Sequence, residues 1–131
     1  MQLHTYLNFN GNCEQAFKFY EQHLGGKILM LMRHGDQAGG GAPGMTGVLH
    51  ARMTLAGAEI SAADVPNAEP MRSAYLELTV DSVEEAERLY ALLGEGGQIF
   101  MKMEETFFAS RFAMFRDRFG TSWMLLHEVP R

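Results

Sequence analysis

Cysteine is almost missing. The chain holds one, Cys13, in 131 residues, so no disulfide can form within it, and the scarcity fits a reducing cytoplasm. Long apolar runs are missing too: none approaches the roughly 18 residues of a membrane-spanning helix, so no membrane partner is expected. The opening MQLHTYLNFNG lacks the basic segment and apolar core of a secretory leader, and a cytoplasmic location is expected. Basic residues are few and scattered, 11 against 16 acidic, for a net charge of −5. Binding to a phosphate backbone draws on a basic stripe, so nucleic acid is not an expected partner. What remains is 47% apolar and 21% charged, the balance of a soluble domain able to bury a core, with residues 1–131 forming one domain. Cys13 has a sharper reading as a nucleophile and a plainer one as a small residue at a helix start. The plainer one fits better, because no Cys-His motif surrounds it.

The chain repeats itself. Residues 14–20, EQAFKFY, align with residues 84–90, EEAERLY, at an offset of 70. A short strand pattern precedes each segment, YLNF (6–9) and YLELTV (75–80), and a glycine pair follows each, Gly25-Gly26 and Gly96-Gly97. Such an offset means two copies of one supersecondary unit. Asn12 is placed to cap the first helix, and Ser82 with Glu85 reads as a capping box for the second. Ala16, Phe19, Tyr20, His23 and Leu24 recur at helical spacing, as do Ala86, Leu89, Tyr90 and Leu93, so both stripes should face a core. Glycine after each helix supplies the usual stop. Three strands then complete each unit: KILMLMR (27–33), VLHARMTL (48–55) and AEISAA (58–63), then QIFMKME (98–104), ASRFAMF (109–115) and SWMLLH (122–127). Each unit reads β-α-β-β-β, giving modules 1–64 and 73–128. The segment VPNAEPMR between them carries two prolines and reads as a connector.

Two βαβββ units in about 130 residues resemble the vicinal oxygen chelate superfamily, which includes glyoxalase I, extradiol dioxygenases, and the fosfomycin and bleomycin resistance proteins. Within it, YLNFNGNCEQAFKFYEQHLGG, VLHARMTLAG, SAAD and FRDRFGTSWML resemble the PhnB-like group. That group shows a similar opening, a His on the third strand (here His50), an Asp after the fourth (Asp64), and a DxFGxxW pattern near the end (Asp117–Trp123). Some members carry a ubiquinone methyltransferase label, but no glycine-rich strand–helix junction suited to adenosylmethionine is found. The resemblance implies an α+β fold in which both modules form a curved eight-stranded mixed sheet around a cleft, with the helices on the outer face. It also implies metal ligands on the first and last strands of the modules in metal-dependent members.

Side chains alternate along a strand. If Leu7 and Phe9 face the first helix, His4, Tyr6 and Asn8 face the cleft; if Leu76, Leu78 and Val80 face the second, Tyr75, Glu77 and Thr79 face the cleft. The ligand positions implied by the resemblance then fall on His4, Ser61, Tyr75 and Met124, of which only His4 has suitable chemistry. Glu77 or Glu59 could supply a carboxylate only through a shift of strand register. The expectation is therefore no metal and no other cofactor, with a divalent metal as the alternative. His50 and Arg52 share the non-helix face with Thr54. His50 reads either as a hydrogen-bonded structural group or as a general acid/base, with Glu77 as its partner across the cleft. Arg52 and Arg111 are candidates for gripping an anion, or for pairing with nearby carboxylates. Asp64 reads as turn chemistry, and His23 and His127 as structural. The glycine-rich run 34–47 reads as either a lid or a connector. Seven strand methionines, Met124 among them, suit a pliable apolar cleft.

The expected function is binding, with or without transformation, of a small organic molecule. His50 and Glu77 are the catalytic candidates; His4, Tyr6, Asn8, Arg52, Tyr75 and Met124 are the binding candidates. The alternatives are a metal-dependent lyase, isomerase or dioxygenase of the same superfamily, and a dimerising module with a vestigial cleft. A homodimer is expected, since superfamily members often complete the cleft with a second chain.

Overall fold

A computed structural model describes residues 1–35 and 46–129, so most of the glycine-rich run 34–47 lies outside the described residues. The chain divides into two compact units, Met1–Glu69 and Pro70–Arg131. The first contains β1 (Thr5–Phe9), α1 (Cys13–Leu24), β2 (Lys27–Arg33), β3 (Val48–Leu55) and β4 (Ala58–Asp64). The second contains β5 (Leu76–Thr79), α2 (Val83–Gly94), β6 (Gln98–Glu104), β7 (Ala109–Arg116) and β8 (Ser122–Glu128). The eight strands are hydrogen-bonded as two four-stranded sheets, ordered β1-β4-β3-β2 and β5-β8-β7-β6. In both, the first strand of the unit lies parallel beside the last, and the other pairings are antiparallel. The duplication read from the sequence is thus a duplication of topology, and the fold is α+β.

Each helix covers one face of its own sheet. Leu7 and Phe9 of β1, Ala51, Met53 and Leu55 of β3, and Ile60 and Ala62 of β4 are buried, as are Cys13, Ala16, Phe17 and Tyr20 of α1. The expected stripe on α1 is rotated: Phe17 is fully buried, while Phe19, His23 and Leu24 are only partly covered. Burying Phe17 contributes on the order of 2 kcal/mol. In the second unit Ala86, Leu89 and Leu93 of α2 are buried, as are Ala113, Phe115, Trp123 and Leu125 of β7 and β8. Tyr90 packs edge-on against Phe115, with ring centroids 5.8 Å apart.

The helix ends differ from expectation in two places. Ser82 caps α2 as read, accepting from the Glu85 N–H at 3.1 Å. Asn12, by contrast, makes no side-chain cap bond. The first N–H of α1, that of Cys13, goes instead to the Asp64 carboxylate at 3.0 Å, which also accepts from the Gly11 N–H at 2.8 Å. At the other end, Gly25 stops α1 in the left-handed conformation, whereas α2 runs on through Gly94 and ends on an extended Glu95. Gly97 is required for a different reason: a Cβ there would overlap the carbonyl oxygen of Arg116.

The two hairpin turns also differ. Ala56 and Gly57 both take positive φ, 51° and 81°, between the paired residues Leu55 and Ala58, which is the two-residue turn whose twist matches antiparallel strands. Gly120 instead sits in a longer loop between β7 and β8. The connector is also less free than its prolines suggest. The Met71 N–H donates to the Gly120 carbonyl at 3.0 Å, and the Met71 carbonyl accepts from Arg116 at 2.6 Å and from the Ser122 hydroxyl at 3.2 Å. Among the described residues no helix is long and apolar enough to cross a membrane.

Candidate functional site

On the first unit, alternation leaves His4, Tyr6, Asn8, His50, Arg52 and Thr54 off the helix face, as the sequence predicts. Register then brings some of them together. Ser61 of β4 is the cross-strand partner of Tyr6 on one side and of Arg52 on the other. One residue pair further along, the Tyr6 hydroxyl lies 3.3 Å from His50 Nδ1 and the two rings stack, with centroids 5.8 Å apart and planes 18° from parallel. Partial burial and, secondarily, the Cys13 sulfur push the Tyr6 phenol above its ordinary value, so it stays protonated at neutral pH. With the imidazole proton on Nε2 the phenol donates to Nδ1; with a proton on Nδ1 the imidazole donates to the phenol oxygen. Tyr6 is half exposed, so neither ring is spent on closing the core. The pair can move a proton and can hydrogen-bond a ligand.

Glu59 was expected to reach this face only through a shifted register; it does so without one. It lies two residues before Ser61 on the same side of β4, within 3.8 Å of His4 Nε2 and in direct ion pairing with Arg52. Two residues along a strand always share a face, so the alternation that selected Ser61 already pointed to Glu59. The pairing answers the question about Arg52, whose guanidinium has a carboxylate partner. His4 and Glu59 line an open hollow of about 530 Å³ beside the Ala56–Gly57 turn. His4 also contacts the Gln2 side chain at 3.3 Å. Asn8 is exposed on the same face.

On the second unit, Glu77 is exposed and stands opposite Met124 in the β5–β8 register. Met124 and its β7 partner Met114 pack against a buried cluster of Ala109, Phe112 and Leu126. The surface around Met124 and Met114 is therefore apolar, with the Glu77 carboxylate beside it. Tyr75 lies just before β5 rather than within it and lines a separate hollow of about 300 Å³. Arg111 is engaged, donating to Glu87 at 3.1 Å and to the Ser110 carbonyl at 2.6 Å. Both arginines singled out as anion-grippers thus take the alternative role that the sequence left open.

The four positions where the resemblance places metal ligands hold one imidazole, one alcohol, one phenol and one thioether. A hard or borderline divalent cation takes several nitrogen or carboxylate donors. That set does not fit, and among the described residues no cluster of three or more His, Cys, Asp or Glu could hold a metal.

Two aspartates of the recurring motifs prove to be clamps. Asp64 is buried, and besides the two bonds at α1 it accepts from the Val48 N–H at 2.8 Å. Asp117 is buried as well, accepting from the N–H groups of Phe119 and Thr121 at 2.9 and 3.0 Å through one oxygen and from the Trp123 indole at 2.9 Å through the other. Both use a carboxylate to tie chain segments together, a role more demanding for Asp64 than ordinary turn chemistry.

Cys13 is the plainer of its two readings. It is fully buried, and burial, followed by the charges of Asp64 and Glu14, pushes its thiol up to about 12. A thiol whose folded value lies above its unfolded value supports folding fully below the unfolded value, and that support is lost as pH rises toward 12. We expect Cys13 in the native protein to resist a disulfide reagent near pH 8, reacting only as the chain unfolds. We also expect Cys13→Ala to flatten the loss of stability between about pH 9 and 12, as followed by urea titrations at stepped pH.

The comparisons agree with this architecture. Residues 2–125 match the family profile described as Glyoxalase/Bleomycin resistance protein/Dioxygenase superfamily. Protein YjdN of Escherichia coli (strain K12) is 34% identical, over 95% of this chain and 94% of its own. The crystal structure of PA1353 from Pseudomonas aeruginosa superposes with a TM-score of 0.87 at 40% identity, covering 98% of each chain. The PhnB protein from Bacillus cereus superposes with a TM-score of 0.84 at 27% identity, covering 97% of this chain and 99% of that one. With the duplicated βαβββ topology, these matches make the chain a PhnB-like member of the glyoxalase/bleomycin resistance protein/dioxygenase superfamily.

Proposed function

We propose that this protein binds a small organic molecule on the sheet faces turned away from its helices, without the superfamily's metal, and acts in the cytoplasm. The observation that carries the reading is the Tyr6–His50 pair: two polar rings, stacked and hydrogen-bonded at 3.3 Å on an uncovered face. Polar groups held in fixed orientation beside apolar surface are how small-molecule sites gain specificity. Met124 and Met114 supply adaptable apolar surface on the second unit.

A second reading is supported by the same pair. A phenol and an imidazole in contact are an acid/base couple, so turnover of the bound molecule is the alternative to simple sequestration. Glu77, the other catalytic candidate, is exposed on the second unit. We also propose a two-fold homodimer, favoured by the apolar side chains exposed on and beside the edge strand β6: Ile99, Met101 and Phe107.

The test is a thermal-shift screen of small oxygenated and aromatic compounds on protein stripped with EDTA. Compounds that raise the melting temperature by mass action should do so equally with and without added zinc or manganese. Tyr6→Ala and His50→Ala should each weaken that response about tenfold, the scale of one lost hydrogen bond. A response that requires metal, or one indifferent to both substitutions, would overturn the proposal.

A further inference from the structure

We infer that the second unit carries an oxyanion-binding pocket of its own, built around Arg116 and Arg72, which takes the carboxylate or phosphoryl group of a small organic molecule. This goes beyond the reading above, whose carrying observation lies in the first unit. The hollow of about 300 Å³ is lined by Arg72, Ser73 and Tyr75 from the segment before β5, Phe100 from β6, Arg116 from the end of β7 and Ser122 from the start of β8.

Arg116 is held in place rather than free. One Nη donates to the Met71 carbonyl at 2.6 Å, the guanidinium carbon sits 5.3 Å from the centroid of the Phe100 ring, and the Nε is buried with no acceptor. A positioned guanidinium normally acquires a carboxylate, and elsewhere in this chain it does: Arg33 pairs with Glu14, Arg52 with Glu59, Arg88 with Glu85 and Arg111 with Glu87. Arg116 and its neighbour Arg72 have no such partner among the described residues. Acidic residues outnumber basic ones 16 to 11 in the chain, yet none lines this hollow. The two cations line this hollow without a carboxylate beside them.

The chemistry then selects the guest. A guanidinium fork matches two oxygens of a carboxylate or phosphoryl group. The hydroxyls of Ser73 and Tyr75 are neutral donors at the same rim, and the rings of Phe100 and Tyr75 offer flat apolar surface to the body carrying the charge. A hollow at the small end of the range for ligand sites suits a compact guest. The expected ligand is therefore a small organic acid with an apolar or aromatic body.

The test is calorimetric titration of the full chain with benzoate, phenylphosphonate, inorganic phosphate and benzamide, the neutral isostere of benzoate, at constant ionic strength. Benzoate or phenylphosphonate should bind saturably and at least about tenfold more tightly than benzamide, the scale of a charge-assisted hydrogen bond. Binding by both organic anions assigns the pocket to oxyanions in general, and by one alone to that class. Arg72→Ala, at an exposed side chain, should weaken the anions several-fold and leave the unliganded melting temperature nearly unchanged. Arg116→Lys should weaken them further by removing the fork. Equal binding of benzamide and benzoate would overturn this inference while leaving the small-molecule reading standing. Saturable binding of inorganic phosphate alone would overturn the organic-acid assignment. Anion binding indifferent to Arg72→Ala and Arg116→Lys, or absent altogether, would overturn the pocket.

Discussion

Replacing Asp117 with alanine is expected to lower the stability of this protein by about 3–5 kcal/mol, the range in which a buried hydrogen-bond network is broken. The carboxylate serves the N–H groups of Phe119 and Thr121 and the indole of Trp123. Alanine would strand those donors where water does not reach, and each stranded donor costs about 1–3 kcal/mol. Asp117→Asn sharpens the point. Its amide oxygen can keep the two backbone bonds, but its NH2 group would face the indole N–H, donor against donor. We expect a loss of about 2 kcal/mol for that variant, the cost of one such mismatch. Trp123 is the only tryptophan in the chain, so its fluorescence reports on the clamp directly. Guanidinium titrations followed by circular dichroism would give the stability, and indole emission would show whether the clamp opens first. A loss below about 1 kcal/mol for the alanine variant would mean that water or neighbouring groups take over the carboxylate's bonds.

Asp64→Ala is the second large effect, expected at about 3 kcal/mol by the same reasoning. Here the three donors come from parts of the chain far apart in sequence: Gly11 and Cys13 at the start of α1 and Val48 at the start of β3. Two of those bonds do the work of a helix N-cap, a contribution of about 1 kcal/mol in itself. Loss of the carboxylate should therefore fray α1 as well as loosen the sheet. Hydrogen exchange would separate the two effects. Amides of the first turn of α1 should lose protection in the variant, while those in the second unit should keep it. Uniform loss across both units would show that Asp64 acts on global stability alone.

These two residues mark where sequence reading succeeded and where it could not. The helices and strands were legible because hydrophobic period and glycine placement act locally. The order β-α-β-β-β and nearly every strand boundary follow from them. Face assignment worked for the same reason: Leu7 and Phe9 are inside while Tyr6 is outside. What escaped was long-range pairing between elements. Asn12 has the right chemistry for a cap, but a carboxylate 52 residues further on does the capping. Phe17 lies two residues before Phe19, off the stripe traced through it, and only the packing of α1 on its sheet decides between them. Glu59 could have been found from alternation alone, since it shares a face with Ser61. Its partners His4 and Arg52 depend on cross-strand register, which alternation does not fix. The unpaired state of Arg72 and Arg116 was out of reach of the sequence, because an arginine's partner is set by three-dimensional neighbourhood.

The parallel pairing of first and last strands has a consequence for how the chain comes into being. During synthesis β1 leaves the ribosome early, but its hydrogen-bonding partner is β4, more than fifty residues later. The antiparallel neighbours β2, β3 and β4 can zip together as they appear, through turns or a loop. β1 must wait, apolar on one face and unpaired along its edges, until Asp64 and the strand before it emerge. Closing so long a loop is the slow step in building such a unit. The second unit repeats the wait with β5 and β8. A nascent chain stopped before residue 122 would leave β5 with no partner within its own unit, and its exposed edge would be open to pairing with other chains.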